Sequence, residues 1–80
     1  MGSRRMDWYQ VARNVLRAEL VRHGVSYRQL AVMLAGIGVI ETERSIANKL
    51  SRGSFSFAFY LQCMKALGRT DFRVDITDVS

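Results

Sequence analysis

The sequence is poor in the features that mark secreted, membrane-embedded and disulfide-stabilised proteins. Its one cysteine, Cys63, cannot form an internal disulfide, which agrees with a reducing compartment. No apolar run reaches the roughly 20 residues that a membrane span needs, and the N-terminus lacks the apolar stretch of a signal peptide. These absences favour a cytoplasmic protein that does not contact a membrane.

Residues that would carry catalysis or hold a metal are also scarce. The single histidine, His23, has no second histidine, cysteine or carboxylate cluster of the kind a metal site requires. Cys63 falls within an apolar helical segment, where we expect a buried and inert thiol. Paired carboxylates, a phosphate-cradling loop and the elements of a catalytic triad are missing. We therefore expect no enzyme activity, no cofactor, no metal and no small-molecule substrate.

Negative charge is scarce outside the C-terminal tail. Residues 1–68 carry ten Lys or Arg against four acidic residues, a formal charge of +6. The tail from Arg69 onward has two Arg against three Asp. The basic part of the chain is therefore its helical body, and a basic body favours a polyanionic partner.

The chain divides into three parts. Residues 7–68 carry the helical pattern of one small domain, and 1–6 form a flexible N-terminal segment, for part of which (MGSRR) a vector-derived remnant is an alternative origin. A tail follows at 69–80. A core of this size is only marginally sufficient, so we expect a homodimer.

The tail alternates apolar and polar residues with a period of two, which predicts a short strand or an extended arm. A lone strand has no partner within this chain. We therefore expect it to pair with its copy in a homodimer through Phe72, Val74 and Ile76.

Apolar spacing and capping residues predict an all-α fold of four to five helices. Capping residues place four of them: one from Asp7 to His23, one beginning at Ser26 and broken at Gly36, one beginning at Thr42, and one from Phe57 to Leu67 after a Ser56 cap. We expect Trp8 to pack in the core, with base stacking as the weaker alternative. The last helix is expected to bury Phe57, Tyr60, Leu61, Met64 and Leu67.

The stretch from Ser26 to Gly53 has the pattern of a helix-turn-helix, in which the second helix presents polar side chains to a DNA groove. Ile46, Ala47 and Leu50 are spaced to face inward. The polar residues of that helix are left for solvent or a partner.

At LRAELVRHGVSYRQLAVMLAGIG, IANKLSRGSFS and FYLQCMKALG, the chain resembles the DNA-binding domains of phage repressors, of the lambda repressor-like and Cro type. The resemblance covers residues 9–68, and it implies a repressor-like helix-turn-helix fold. The chain also resembles a group of bacterial proteins that share a domain of unknown function, in which GVSYRQLAVMLAGIGVIETERSIANKLSRGSFSFAFYLQCMKALG recurs nearly in register. The matching repressor-like positions are Gly24, Leu30, Ala31, Arg52, Gly53 and Leu67.

The resemblance implies a protein that binds double-stranded DNA, either at a specific sequence or generally, and that acts in bacterial transcription or in the nucleoid. Residues implied to face base edges are Arg44, Ser45, Asn48 and Lys49. Residues implied to contact phosphates are Tyr27, Arg28, Gln29 and Arg52. The segment from Gly36 to Glu41 departs from the pattern, being about three residues longer than the usual turn of three or four residues. Base reading by the second helix therefore stays open.

Two other functions compete with DNA binding. A protein interaction module would use Phe55, Phe57 and Phe59 as an apolar docking face, with Arg44 and Lys49 held by Glu41 or Glu43. Binding of RNA or single-stranded nucleic acid would need exposed aromatic residues among the basic ones, for which Tyr9 and Tyr27 are the candidates.

Overall fold

A computed structural model describes residues 5–69 and 71 of the protein. Within these residues the chain is all-helical and contains no strand. No helix of this described part is long and apolar enough to cross a bilayer. The helices are α1 (Trp8–His23), α2 (Tyr27–Gly36), α3 (Glu43–Arg52) and α4 (Phe57–Ala66).

Each helix begins at the capping residue that the sequence predicts. The Asp7 carboxylate accepts a hydrogen bond from the Gln10 N–H at 3.2 Å at the start of α1. Ser26 caps α2 in a complete capping box, since its N–H donates to Gln29 Oε1 at 2.8 Å. Side-chain oxygens at these positions satisfy N–H groups that have no partner within the helix. The predicted helix starts are confirmed, including those at Thr42 for α3 and Ser56 for α4.

The helices pack around one apolar core. α3 contacts both α1 and α2, and α4 packs against α2. The side chains at the centre of the core are fully buried: Leu16, Leu30, Leu34, Ile46, Leu50, Cys63 and Met64. Burial of each Leu, Ile or Met side chain contributes roughly 1.5–3 kcal/mol to the free energy of unfolding. Cys63 is 0% exposed, which confirms the expectation of a buried thiol, and this burial raises the pKa of the thiol to about 12.

Two expectations about the core are wrong. Trp8 is 59% exposed, because it lies in the first turn of α1 at the surface of a groove formed with the start of α4 and is not enclosed by the core. The buried face of α4 is also rotated relative to the prediction, since Phe57 and Leu61 are exposed. The sequence of α4 is apolar on nearly every side, so periodicity alone leaves its buried face ambiguous. The face observed in the core consists of Phe59, Tyr60, Cys63, Met64 and the following Leu67.

The rotation of α4 predicts opposite stabilities for two neighbouring phenylalanine variants. Phe59 is buried and meets Phe55 edge-to-face at a centroid distance of 5.8 Å, so Phe59→Ala is expected to cost about 3–5 kcal/mol. Phe57 is exposed and only stacks on Tyr60, so Phe57→Ala is expected to cost less than about 1 kcal/mol. Urea unfolding of the two variants measures the difference. Equal losses would place both rings in the core and contradict this orientation of α4.

Two contacts join the N-terminal half of α1 to the end of α3. Gly53, which ends α3 at φ 69°, lies so close to α1 that a Cβ there would overlap the backbone of Tyr9. The Arg13 guanidinium donates to the Ser51 carbonyl oxygen at 3.0 Å. A carbonyl in the last turn of a helix lacks an intrahelical partner, so Arg13 caps α3 from another helix. These contacts set where α3 lies on α1.

The connection from α2 to α3 is ordered at both ends. At the end of α2, the Val39 N–H donates to the Leu34 carbonyl oxygen at 2.9 Å and the Gly38 N–H donates to that of Ala35 at 3.0 Å. This is the hydrogen-bond pattern of a Schellman motif. Thr42 then caps α3, and its N–H donates to Ser45 Oγ at 2.9 Å. Hydrogen bonds therefore fix both the end of α2 and the start of α3, although the connection at residues 37–42 is longer than the usual turn.

Candidate nucleic-acid interface

One face of α3 is an exposed polar stripe. Arg44, Asn48 and Arg52 recur every four residues, so helix geometry places them on the same side, and all three are exposed. The opposite side carries Ile46 and Leu50, both fully buried. Burial of that side orients the polar stripe outward. We call Arg44, Asn48 and Arg52 the α3 stripe.

The two arginines of the α3 stripe are available to a ligand. Within residues 5–69 and 71, neither Arg44 nor Arg52 takes part in an ion pair or a side-chain hydrogen bond. The Asn48 carboxamide forms no hydrogen bond among the same residues; only its backbone carbonyl oxygen accepts from a side chain, the Ser51 hydroxyl at 3.4 Å. Guanidinium groups suit guanine edges and phosphates, and a carboxamide suits adenine. The α3 stripe therefore offers donors for both kinds of DNA contact.

The other two residues expected to read bases are held within the protein. Lys49 Nζ lies 3.1 Å from both carboxylate oxygens of Glu41, and the Ser45 hydroxyl donates to Glu41 Oε1 at 2.6 Å. The Lys49 ammonium also lies 5.4 Å from the centre of the Phe59 ring. The sequence left open whether Glu41 pairs with Arg44 or Lys49, and the structure selects Lys49. We call Glu41, Ser45 and Lys49 the Glu41 cluster.

The residues expected to contact phosphates lie in two places. Tyr27, Arg28 and Gln29 form the first turn of α2, while Arg52 ends α3. Arg28 and Gln29 are exposed, whereas Tyr27 is half-buried and packs against the core. Gln29 uses its carbonyl oxygen in the capping box, so its amide N–H₂ remains available as a donor.

An apolar groove lies between α1 and the start of α4, and none of its lining residues belongs to the α3 stripe. Its volume is about 290 Å³. Trp8 and Phe57 stand at its surface, 59% and 67% exposed. Exposed aromatic rings over an apolar groove are typical of protein contact sites. The lining residues are Trp8, Val11, Ala12, Val15, Phe55, Ser56, Phe57 and Tyr60.

The aromatic and basic features that distinguish the competing functions give a divided result. Lys49 is paired with Glu41 and Phe57 is exposed, as the protein interaction module requires. Arg44 makes no ion pair among the described residues and Phe59 is buried, as DNA binding requires. Tyr9 is exposed, but Tyr27 is half-buried. The α3 stripe and the groove are thus separate candidate surfaces.

Sequence reasoning missed Glu19, a buried acid on α1. It is 4% exposed and binds Arg69 beyond α4, with Nη1 and Oε1 2.7 Å apart. A signal for its burial exists in the sequence, because Glu19 follows Val15 by four residues and Leu16 by three, which places it on the apolar side of α1. The predicted dimerisation residues, Phe72, Val74 and Ile76, lie outside the described residues, as does most of the N-terminal segment.

Comparison with known protein families matches residues 8–72 to the family described as Domain of unknown function (DUF6471). Corresponding searches of curated proteins and of solved structures found no match. The match extends from the first residue of α1 to beyond α4, so it includes both the α3 stripe and the groove.

Proposed function

Since the chain belongs to the DUF6471 family, whose description assigns no activity, we propose from its surface that it binds double-stranded DNA through α3. The observation that carries the proposal is the α3 stripe, which presents on one helix face an asparagine and two arginines that form no ion pair with any other described residue. The proposal includes a repressor-like placement of α2 and α3, with α3 as the recognition helix and the start of α2 against the phosphates.

Charge and packing support this assignment. The protein carries a formal charge of +5, and neutralisation of phosphates by Lys and Arg supplies most of the sequence-independent affinity for DNA. α3 packs on α2 and α1 through its apolar side, which leaves the α3 stripe at the surface. In this function the protein acts as a bacterial transcriptional regulator or nucleoid-associated protein in the cytoplasm.

Removal of the Arg44 side chain is expected to weaken DNA binding. Arg44→Ala should cost about 1–3 kcal/mol of binding free energy if the guanidinium reads a guanine. Arg52→Ala should instead lower the slope of log affinity against log salt by about 0.9, because one phosphate contact is lost. Both effects are measured by titrating a duplex of random sequence, and then a selected preferred sequence, across a salt series.

Arg17→Ala is the matched control, since Arg17 is exposed on α1 and its loss removes the same charge. Its affinity should stay close to that of the unmodified protein, apart from the small effect of net charge. If Arg17→Ala and Arg44→Ala weaken binding equally, the affinity arises from overall charge and α3 is not the recognition helix.

We also propose that the protein acts as a homodimer, which is the usual arrangement when a helix-turn-helix binds two half-sites. The mass of the free protein and of its DNA complex, measured alongside the salt series, tests this. A monomer in both states would contradict it.

A second candidate function is an interaction with a partner protein through the groove between α1 and α4. The specific observation in its favour is the exposure of Trp8 and Phe57 over an apolar lining. An apolar helix is the partner that such a groove fits. Absence of DNA binding even at low salt, both by the unmodified protein and by a variant with Glu41 neutralised, would favour this function over the first.

A further inference from the structure

Glu41 binds two side chains of α3, Ser45 and Lys49, that lie beside the α3 stripe. Its side chain is 15% exposed, and both carboxylate oxygens accept from the Lys49 ammonium at 3.1 Å. The Ser45 hydroxyl donates to the same Oε1 atom at 2.6 Å. Ser45 and Lys49 are four residues apart, so they project from one side of the helix. The Glu41 cluster therefore consists of two hydrogen-bond donors on α3 and one carboxylate, from the preceding connection, that accepts from both.

The donors of the Glu41 cluster are those that hold phosphate oxygens in DNA complexes. Lysine ammonium and serine hydroxyl groups are both common phosphate ligands. A phosphate, like a carboxylate, presents several acceptor oxygens to such donors. The Lys49 side chain is 38% exposed, on the side of α3 that carries Ser45. An anion from outside can therefore reach the cluster.

We propose that Ser45 and Lys49 form a binding site for a backbone phosphate of duplex DNA, and that Glu41 occupies this site in the free protein. The inference rests on the proposed function. DNA binding then requires the carboxylate to leave, so Glu41 acts as a competitor within the chain and lowers the affinity of the protein for DNA.

The fold permits this exchange without loss of either helix end. The Schellman hydrogen bonds hold the end of α2 through Gly38 and Val39, and none of them involves Glu41. At the start of α3, Thr42 Oγ1 accepts from the Ser45 N–H at 3.0 Å, and Ser45 Oγ accepts from the Thr42 N–H. The single proton of the Ser45 hydroxyl has two acceptors in reach, Glu41 Oε1 and the Thr42 carbonyl oxygen at 2.9 Å, so it is not fixed on Glu41. It can therefore turn to a phosphate while Ser45 Oγ remains the acceptor of the capping box. None of these hydrogen bonds at the helix ends depends on the Glu41 carboxylate.

Neutralisation of Glu41 is expected to tighten DNA binding. Glu41→Gln keeps the size and a hydrogen-bonding group of the side chain but removes the charge that holds Lys49. The gain in affinity should be roughly three- to tenfold, since a partly exposed ion pair and one repulsive contact with phosphate are lost. The measurement is titration of a random-sequence duplex at fixed salt, with circular dichroism to verify the helical content of each variant.

Glu43→Gln is the matched control. Glu43 lies two residues away in the first turn of α3, is exposed, and forms no ion pair within the described part of the chain. The same unit of negative charge is removed near the same helix, so any general electrostatic gain appears in both variants. If Glu41 competes with phosphate, Glu41→Gln should gain distinctly more DNA affinity than Glu43→Gln.

A double-mutant cycle with Lys49→Gln separates competition from general charge. In the unmodified background Lys49→Gln should weaken binding, and in the Glu41→Gln background it should abolish the gain. The gain from Glu43→Gln should persist without Lys49. Two results would contradict competition by Glu41: the gain from Glu41→Gln persists in the Lys49→Gln background, or it only equals the gain from Glu43→Gln. Either result would leave the DNA-binding function intact.

The remaining outcomes concern the two proposals together. If the unmodified protein does not bind at low salt but Glu41→Gln does, the competitor is supported and keeps the free protein inactive. If neither the unmodified protein nor Glu41→Gln binds DNA, both the DNA-binding function and the phosphate site are wrong.

Discussion

Gly53→Ala is expected to destabilise the protein by about 3 kcal/mol or more. The left-handed backbone of Gly53, at φ 69°, costs an alanine about 1–2 kcal/mol. The added Cβ would also lie 2.8 Å from the Tyr9 carbonyl carbon and would overlap the carbonyl oxygen, in a part of α1 that cannot retreat as a flexible side chain can. Forced overpacking of this kind costs about 1–3 kcal/mol. The two costs add because one is local and the other comes from the contact between helices.

Gly24→Ala separates the two costs. Gly24 ends α1 with nearly the same backbone, at φ 65°, but an added Cβ meets nothing within 4 Å. It should therefore lose only the conformational part, about 1–2 kcal/mol. Thermal unfolding measures both variants, with each kcal/mol lowering Tm by roughly 4–8 °C in a domain of this size. Equal losses at Gly24 and Gly53 would show that α1 and the end of α3 are not in close contact.

The second large effect is expected at the buried carboxylate of Glu19. Its side chain is 6% exposed and lies 2.7 Å from Arg69, 3.5 Å from Arg22 and 4.0 Å from His23. The Arg69 side chain is more buried than that of Arg22, with 23% of it exposed against 63%. The pair joins α1 to the chain just after α4, 50 residues away. Burial of Tyr60 raises the pKa of its phenol, and the nearby negative charge of Glu19 adds to that rise.

Arg69→Met is expected to cost about 3 kcal/mol, because it leaves a buried carboxylate without its main partner. Arg22→Met is the control, since loss of the exposed arginine should cost less than about 1 kcal/mol. The double variant Glu19→Leu, Arg69→Met should recover most of the loss, because a buried ion pair is replaced by an apolar one. The cycle consists of the unmodified protein, Glu19→Leu, Arg69→Met and the double variant, and urea unfolding measures these four together with the Arg22→Met control. Additive losses at Glu19 and Arg69 would mean that the two residues do not interact in solution.

The ends of the helices are determined locally, and for that reason the sequence predicted them. Ser26 with Gln29, and Thr42, act on N–H groups within three residues, so no distant contact is needed to place them. The inward side of α3 was also predictable, because Ile46 and Leu50 are apolar and their neighbours are polar. The exposed α3 stripe follows directly from that contrast.

Other features depended on contacts between elements distant in sequence. α4 is apolar on most sides, so only its packing against α2 decided that Phe59 is buried and Phe57 exposed. Packing likewise left Trp8 outside the core and placed it over the groove.

The amino-acid sequence by itself determined four capped helices, a basic body and a polar face on α3, since each depends on composition or on neighbours within one or two helical turns. Only the tertiary structure decided which charges remain available on that face. Glu41 reaches Lys49 across eight residues, and Glu19 reaches Arg69 across fifty. Such pairs depend on how the chain folds back on itself, because many cations in a basic sequence are equally suitable partners for a given carboxylate.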